Sequence, residues 1–164
     1  LDIGLMQEIG KEFARIFADA GINKILTIEA SGIAIASIAA QYFGNVPVVF
    51  AKKAKSKNLD GSLYTSVVHS YTYGKDFNVT LSQKFLGPQD NVLVIDDFLA
   101  SGKAMKGLLD ICGQAGCKVA GIGICIEKGF QNGGRELREQ GYKVASLAIV
   151  DHFNEDDTLT FREQ

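Results

Sequence analysis

No tryptophan occurs among the 164 residues, proline occurs only twice, and neither sign of charge dominates, with 17 Lys and Arg against 19 Asp and Glu. The resulting net charge of −2 excludes a chain that holds nucleic acid by bulk electrostatics, so any phosphate recognition must be local. No nucleic-acid partner is expected. Only three cysteines are present, Cys112, Cys117 and Cys125, with no C-x-x-C pair among them. That excludes a disulfide framework and points to core thiols in a reducing, cytoplasmic setting. Long apolar runs are missing too. The most hydrophobic stretch, 25–43, is interrupted by Glu29, Ser31 and Gly32 and falls short of a membrane span, so no membrane association is expected. No basic-then-apolar leader, internal repeat, low-complexity tract or Pro/Gly/Ser-rich linker is found, and a single domain over 1–164 is the expectation. What is plentiful is apolar side chain, at 46%, and glycine, at 18 residues. One sizeable core follows. The chain starts without Met and inside a helical pattern, so a segment ahead of residue 1 is expected.

Along the chain, helical and short apolar segments alternate. Ile3, Met6, Ile9, Phe13, Ile16 and Phe17 recur at three- and four-residue spacing, which predicts an amphipathic helix stopped by Gly21. Residues 24–28 read as a buried strand, followed by a turn over 29–32 and an Ala-rich helix ending at Gly44. Residues 46–51 form the next strand, with Pro47 near its start, where a missing N–H is tolerated. From 52 to 89 the pattern turns polar and aromatic, and a flexible excursion containing a β-hairpin is expected. A strand over 91–95, a helix over 103–115 stopped by Gly116, a strand over 119–126, a short helix near 135–140 and a strand over 143–149 complete the pattern. Strand and helix in alternation imply an α/β fold, a mostly parallel twisted sheet with helices on both faces. In such sheets ligands bind beyond the strand C-termini, at a switch in strand order.

The densest chemical signal is residues 92–104, VLVIDDFLASGKA. A buried strand runs into Asp96 and Asp97, then a loop of small residues, then a helix. Backbone N–H groups of that loop would form an anion site at a helix N-terminus, and small side chains let a phosphate approach closely. The two carboxylates only accept hydrogen bonds, which suits the vicinal hydroxyls of a ribose. The blander alternative, Asp97 or Ser101 serving merely as a helix cap, explains fewer of these features. Gly102-Lys103 is not the end of a P-loop, because position 97 is Asp and Ala104 lacks the Mg²⁺-binding hydroxyl. Nor is Gly121-Ile122-Gly123 a dinucleotide fingerprint, because Ile stands at 126.

Residues 92–104 resemble the phosphoribosyl-pyrophosphate (PRPP) motif of the type I phosphoribosyltransferases. The chain as a whole, from the first helix through Ile149, resembles the bacterial xanthine phosphoribosyltransferases of that family. The likeness runs through TIEASGI at 27–33, VPVVFA at 46–51, DDFLA at 96–100, AGIGI at 120–124, EKGF at 127–130 and GYKVASLA at 141–148.

The resemblance implies a single-domain type I phosphoribosyltransferase fold with a flexible β-hairpin loop and a small hood, whose N-terminal part is missing from this chain. Ala100, Ser101, Gly102, Lys103 and Ala104 match the loop for the 5′-phosphate of PRPP, and Asp96 and Asp97 match its ribose-binding acids. Glu29, Ala30, Ser31 and Gly32 match the pyrophosphate turn. Lys53, following the strand beside that turn, suits a charge-assisted contact to PRPP, whereas Lys55 and Lys57 read as solvated. Lys128 matches a purine-contacting lysine and Phe98 the apolar residue that packs on the base. A lysine there favours an oxo-purine, which offers acceptors where adenine offers an amino donor.

Many relatives carry Thr and Gly at the positions of Ser101 and Lys103, and Thr at that of Ala104. The implied activity is purine salvage: xanthine and PRPP give xanthosine 5′-monophosphate and pyrophosphate, with Mg²⁺ carried by PRPP and no organic cofactor. No general base is identified. The partners implied are PRPP, a purine base and a second copy in a homodimer. The 66–73 stretch is a candidate flap. Two alternatives stay open: a PRPP-sensing, purine-repressor-like regulatory domain without turnover, and a phosphoribosyltransferase for another purine base.

Overall fold

The computed structural model describes residues 1–54, 62–70, 75–156 and 158–163. Lys55, Lys57 and positions 71–73 of the expected flap lie outside the described residues.

Helix α1 spans Ile3–Ile16, with Asp2 as its N-cap accepting from the Leu5 amide at 3.0 Å. It ends five residues before Gly21, the expected stop: the backbone leaves helical geometry at the C-cap Phe17, with φ −110° and ψ 21°, whose ring is buried. Strand β1, Lys24–Ile28, leads into α2, Ser31–Ala40, and a 3-10 turn ends at Gly44. Strand β2, Val48–Ala54, begins just after Pro47. The hairpin β3 (Leu63–Ser70) and β4 (Lys75–Ser82) follows. Strand β5 is Asn91–Leu99 and α3 is Lys103–Ala115. Strand β6, Lys118–Lys128, helix α4, Gly133–Glu139, and strand β7, Val144–Phe153, come next. A short β8, Leu159–Phe161, which periodicity did not signal, closes antiparallel on β7.

The sheet order is β3-β4-β2-β1-β5-β6-β7-β8. The inner five strands are parallel neighbours, while the hairpin and β8 add antiparallel edges. Alternation along the strands sends Ile25, Leu93 and Ile95 to one face, under α1 and α2, with Phe13, Phe17 and Ala36. It sends Leu26, Ile28, Val92 and Val94 to the other, under α3, with Met105, Leu108 and Ile111. Both faces are therefore buried, which is why these strands read as continuous apolar runs. Burial of each such side chain stabilises the fold by about 1.5–3 kcal/mol. The glycine pair that mimics a nucleotide motif has a packing role: a Cβ on Gly121 would stand 2.2 Å from the Phe17 ring, and one on Gly123 would stand 3.0 Å from Phe13.

After β1 the chain moves out to β2, and it later returns to place β5 on the other side of β1. The β1/β5 boundary is thus the topological switch point, and the crevice at the strand C-termini there is where a ligand belongs.

Candidate functional site

Two loops meet at that crevice. The first leaves β1 through Glu29 and a cis peptide to Ala30; Ala30 and Ser31 are exposed and Gly32 is buried in the first turn of α2. Gly32 packs so closely that a Cβ there would lie 2.1 Å from Thr27 Oγ1 and 3.4 Å from Asp96 Oδ1. The 29–32 turn and the first acid of β5 are therefore neighbours. Lys53, near the end of β2, joins them: its backbone N–H donates to Glu29 Oε1 at 2.6 Å, and its Nζ lies 5.8 Å from the centre of the Phe77 ring. Thr27 Oγ1 is buried with no hydrogen-bond partner.

The second loop leaves β5. Asp96 and Asp97 lie inside this strand rather than beyond it, because pairing with β6 continues through Leu99. Asp96 is 6% exposed and accepts from the Asp97 amide at 3.0 Å. Burial, and then the adjacent Asp97, push its carboxyl up to about 7, against the pull of the Asp97 amide and Lys53. Beyond Leu99 the chain turns through Ala100, exposed Ser101 and buried Gly102. Gly102 has φ +78°, a left-handed conformation that favours glycine, and precedes Lys103 and Ala104 in the first turn of α3. Asp96, Phe98 and residues 99–105 line a cavity of about 140 Å³. Its wall is loop backbone at a helix start, suited to an anion.

Farther along the same strand ends, Phe98 is 42% exposed and Lys128, the last residue of β6, holds its Nζ 5.3 Å from the centre of the Phe98 ring. The pair offers a flat apolar face beside a strong hydrogen-bond donor. Among the described residues no group of three or more His, Cys, Asp or Glu could hold a metal ion, and no helix is long and apolar enough to cross a membrane. Cys112, Cys117 and Cys125 are free thiols, and burial first, then Asp97 and Asp96, pushes Cys125 up to about 12.

One part of this region was missed by sequence reasoning. The start of α4 braces the 100–104 loop: the Gly133 amide donates to the Ala100 carbonyl at 3.2 Å. The signal was there in Gly133 and Gly134 opening a helix, where glycine is a poor helix former.

Residues 4–159 match the phosphoribosyl transferase domain family, and the chain belongs to it. Across 162 residues it is 58% identical to a xanthine phosphoribosyltransferase of Bifidobacterium longum, covering 98% of this chain and 84% of that one. A xanthine phosphoribosyltransferase of Lachnoclostridium phytofermentans is also 58% identical, over 163 residues, with 99% and 84% covered. Among solved structures, an APRTase from Giardia lamblia complexed with 9-deazaadenine superposes with a TM-score of 0.80 at 26% identity, over 92% of this chain and 82% of that one. An adenine phosphoribosyltransferase from Trypanosoma brucei gives 0.81 at 18% identity, over 95% and 69%, a likeness of fold alone. The sheet with helices on both faces is thus the type I phosphoribosyltransferase fold.

Proposed function

We propose that this chain is a purine-salvage phosphoribosyltransferase that converts xanthine and PRPP to xanthosine 5′-monophosphate and pyrophosphate. The observation that carries the reading is the joining, at one switch point, of the 29–32 turn, the Asp96–Asp97 pair, the 100–104 loop and the Phe98–Lys128 pair. The 58% identity to proteins named xanthine phosphoribosyltransferase supports xanthine as the base.

In this reading, backbone N–H groups of Ala100, Ser101, Gly102, Lys103 and Ala104 hold the 5′-phosphate. Asp96 and Asp97 accept from the ribose hydroxyls. Ala30, Ser31, Gly32 and the Lys53 ammonium hold the pyrophosphate. Purine N9 attacks the anomeric carbon, forming the C–N bond as the C–O bond to pyrophosphate breaks with its electron pair, and the N9 proton leaves to solvent. Lys128 donates to a purine oxygen while Phe98 packs on the ring. Little covalent chemistry is asked of the protein: positioning and stabilisation of the positive charge developing on the ribose carry the reaction. Mg²⁺ fits this oxygen-rich crevice as an ion brought on PRPP's own oxygens, beside the hard carboxylate donors of Asp96 and Asp97. When bound it neutralises charge on the departing pyrophosphate. A cytoplasmic homodimer belongs to the same reading. For the homodimer the support is apolar surface on α1, on β2 and in the turn after β4, where Ile3 and Leu5, Phe50, and Phe85 are 54% and 59%, 38%, and 57% exposed.

The test is pyrophosphate release from PRPP and Mg²⁺ with xanthine, guanine, hypoxanthine and adenine supplied separately. Fastest turnover with xanthine is expected. PRPP binding without turnover on any base would overturn the enzyme in favour of a sensor domain.

A further inference from the structure

Glu127 precedes Lys128 on β6, is 2% exposed, and is absent from the lining of the 100–104 cavity. Its carboxylate takes a two-pronged hydrogen bond from Arg138 of α4, Nη1 to Oε1 at 2.9 Å and Nη2 to Oε2 at 2.7 Å. Ser146 Oγ on β7 donates a short hydrogen bond to Oε2. Burial opposes the charged form, but the bonds from Arg138 and Ser146 outweigh it and hold the carboxyl below its usual range. Only the carboxylate is buried, since the Arg138 side chain is 36% exposed; its desolvation offsets much of the attraction, and fixing one geometry is the better-attested use of such a pair.

The geometry it fixes is that of α4. Helix α4 has only seven residues, too few to persist on propensity alone, so tertiary contacts must hold it. Three do so: buried Leu137, the Lys106–Glu136 salt bridge at 2.5 Å from α3, and Arg138 on Glu127. The first turn of α4 lies directly against the carboxylate, since a Cβ on Gly134 would stand 1.9 Å from Glu127 Oε1. One residue earlier, Gly133 meets the phosphate loop. A Cβ there would stand 2.3 Å from the Ala100 carbonyl oxygen and 2.6 Å from the Gly102 nitrogen. A contact this tight leaves the loop backbone no room to sag toward α4.

We propose that the Glu127–Arg138 pair, anchored on the buried Glu127 carboxylate, is a positioning device that presses α4 against the 100–104 loop and so sets the loop's affinity for the 5′-phosphate. Because Glu127 is the neighbour of Lys128, one strand end serves both halves of the site: Lys128 faces the base, and Glu127 steadies the phosphate seat through α4. The inference rests on the reading of that loop as the phosphate seat.

The experiment measures ribose 5-phosphate binding by calorimetry, together with KM for PRPP, KM for xanthine and the thermal midpoint. Wild type is compared with Arg138→Lys, which keeps the charge but loses the two-pronged geometry. Gly133→Ala pushes on the loop directly and leaves the pair intact. Lys106→Met removes the exposed second anchor of α4. Arg138→Lys is expected to weaken ribose 5-phosphate binding and raise KM for PRPP about tenfold, with KM for xanthine changed less than twofold. Gly133→Ala should do the same more strongly. The Arg138→Lys/Lys106→Met double variant should depart from additivity, because both anchors act through α4. Lower thermal midpoints with unchanged ribose 5-phosphate affinity would overturn the inference and leave the pair merely structural. Equal rises in both KM values would also overturn it. Wild-type protein that fails to bind ribose 5-phosphate would instead sink the assignment of the loop, and this inference with it.

Discussion

The proposed phosphate end and the proposed purine end of the site are made of different material. At the first, the groups proposed to hold phosphate are backbone amides of residues 100–104, seated against Gly133, and the neighbouring 29–32 turn is packed at Gly32; Gly32, Gly102 and Gly133 each sit where a Cβ would meet a neighbour at 3.1 Å or less. At the second, the corresponding groups are two side chains at strand ends, Phe98 and Lys128, 5.3 Å apart and partly open to solvent. Backbone donors cannot be exchanged by substitution, only displaced by crowding, whereas a side-chain donor disappears with one change. On the proposed reading, this construction would let base preference be retuned while the handling of PRPP stays fixed. It also predicts two kinds of mutational damage.

The largest effect should come from crowding the phosphate side. Gly32→Ala places a methyl against Thr27 Oγ1 and must shift the 29–32 turn, and a displacement near 1 Å can cost about 100-fold in rate. A loss of about 100-fold in kcat/KM for PRPP is expected, partly restored by adding Thr27→Ala. A second substitution that restores nothing would show that Thr27 is not what the methyl meets.

A separate effect, on stability rather than on rate, is the pH dependence written into Asp96, whose carboxyl is pushed up to about 7 from an ordinary 3.8. The folded protein holds that proton more tightly than the unfolded chain. Its contribution to stability is full below 3.8 and is lost as pH rises through 7. Asp96→Asn removes this loss. In denaturant titrations the variant should gain on wild type between pH 4 and pH 8, by at most about 4 kcal/mol. Parallel stability curves would mean that Asp96 titrates as an ordinary aspartate.

At the purine end the effects should be smaller and confined to the base. Lys128→Met removes a charged donor worth about 1.5–3 kcal/mol. KM for xanthine should rise about 30-fold, KM for PRPP should stay within twofold, and discrimination against adenine should weaken. Phe98→Ala should raise KM for xanthine about three- to tenfold, the scale of an aromatic contact. If either substitution moved KM for PRPP as much as KM for the base, the division between the two ends would be wrong.

Local patterns carried much of this architecture. Strand β1 and helix α3 have the bounds that periodicity and glycine stops predict. The acids and the small-residue loop were legible because a strand, two carboxylates and a helix start are contiguous in the chain. Strand β8 was not legible: three residues with exposed Leu159 and Phe161 carry too little pattern. Nor does any local pattern signal that Arg162 reaches Asp151 at 2.5 Å once β8 folds back on β7. The partnership of Glu127 with Arg138 left no pattern either, since a charge eleven residues away could equally face solvent.

The sequence by itself determined the alternation that makes a covered parallel sheet, and it determined the run of strand, paired acids, small-residue loop and helix start over 92–104, because both depend on neighbours along the chain. Only the tertiary structure decided that β1 lies beside β5, which brings Gly32 to Asp96, and that α4 lies under Ala100. Those contacts join residues far apart in sequence. They are set by strand order and by packing against both faces of the sheet, which no local propensity encodes.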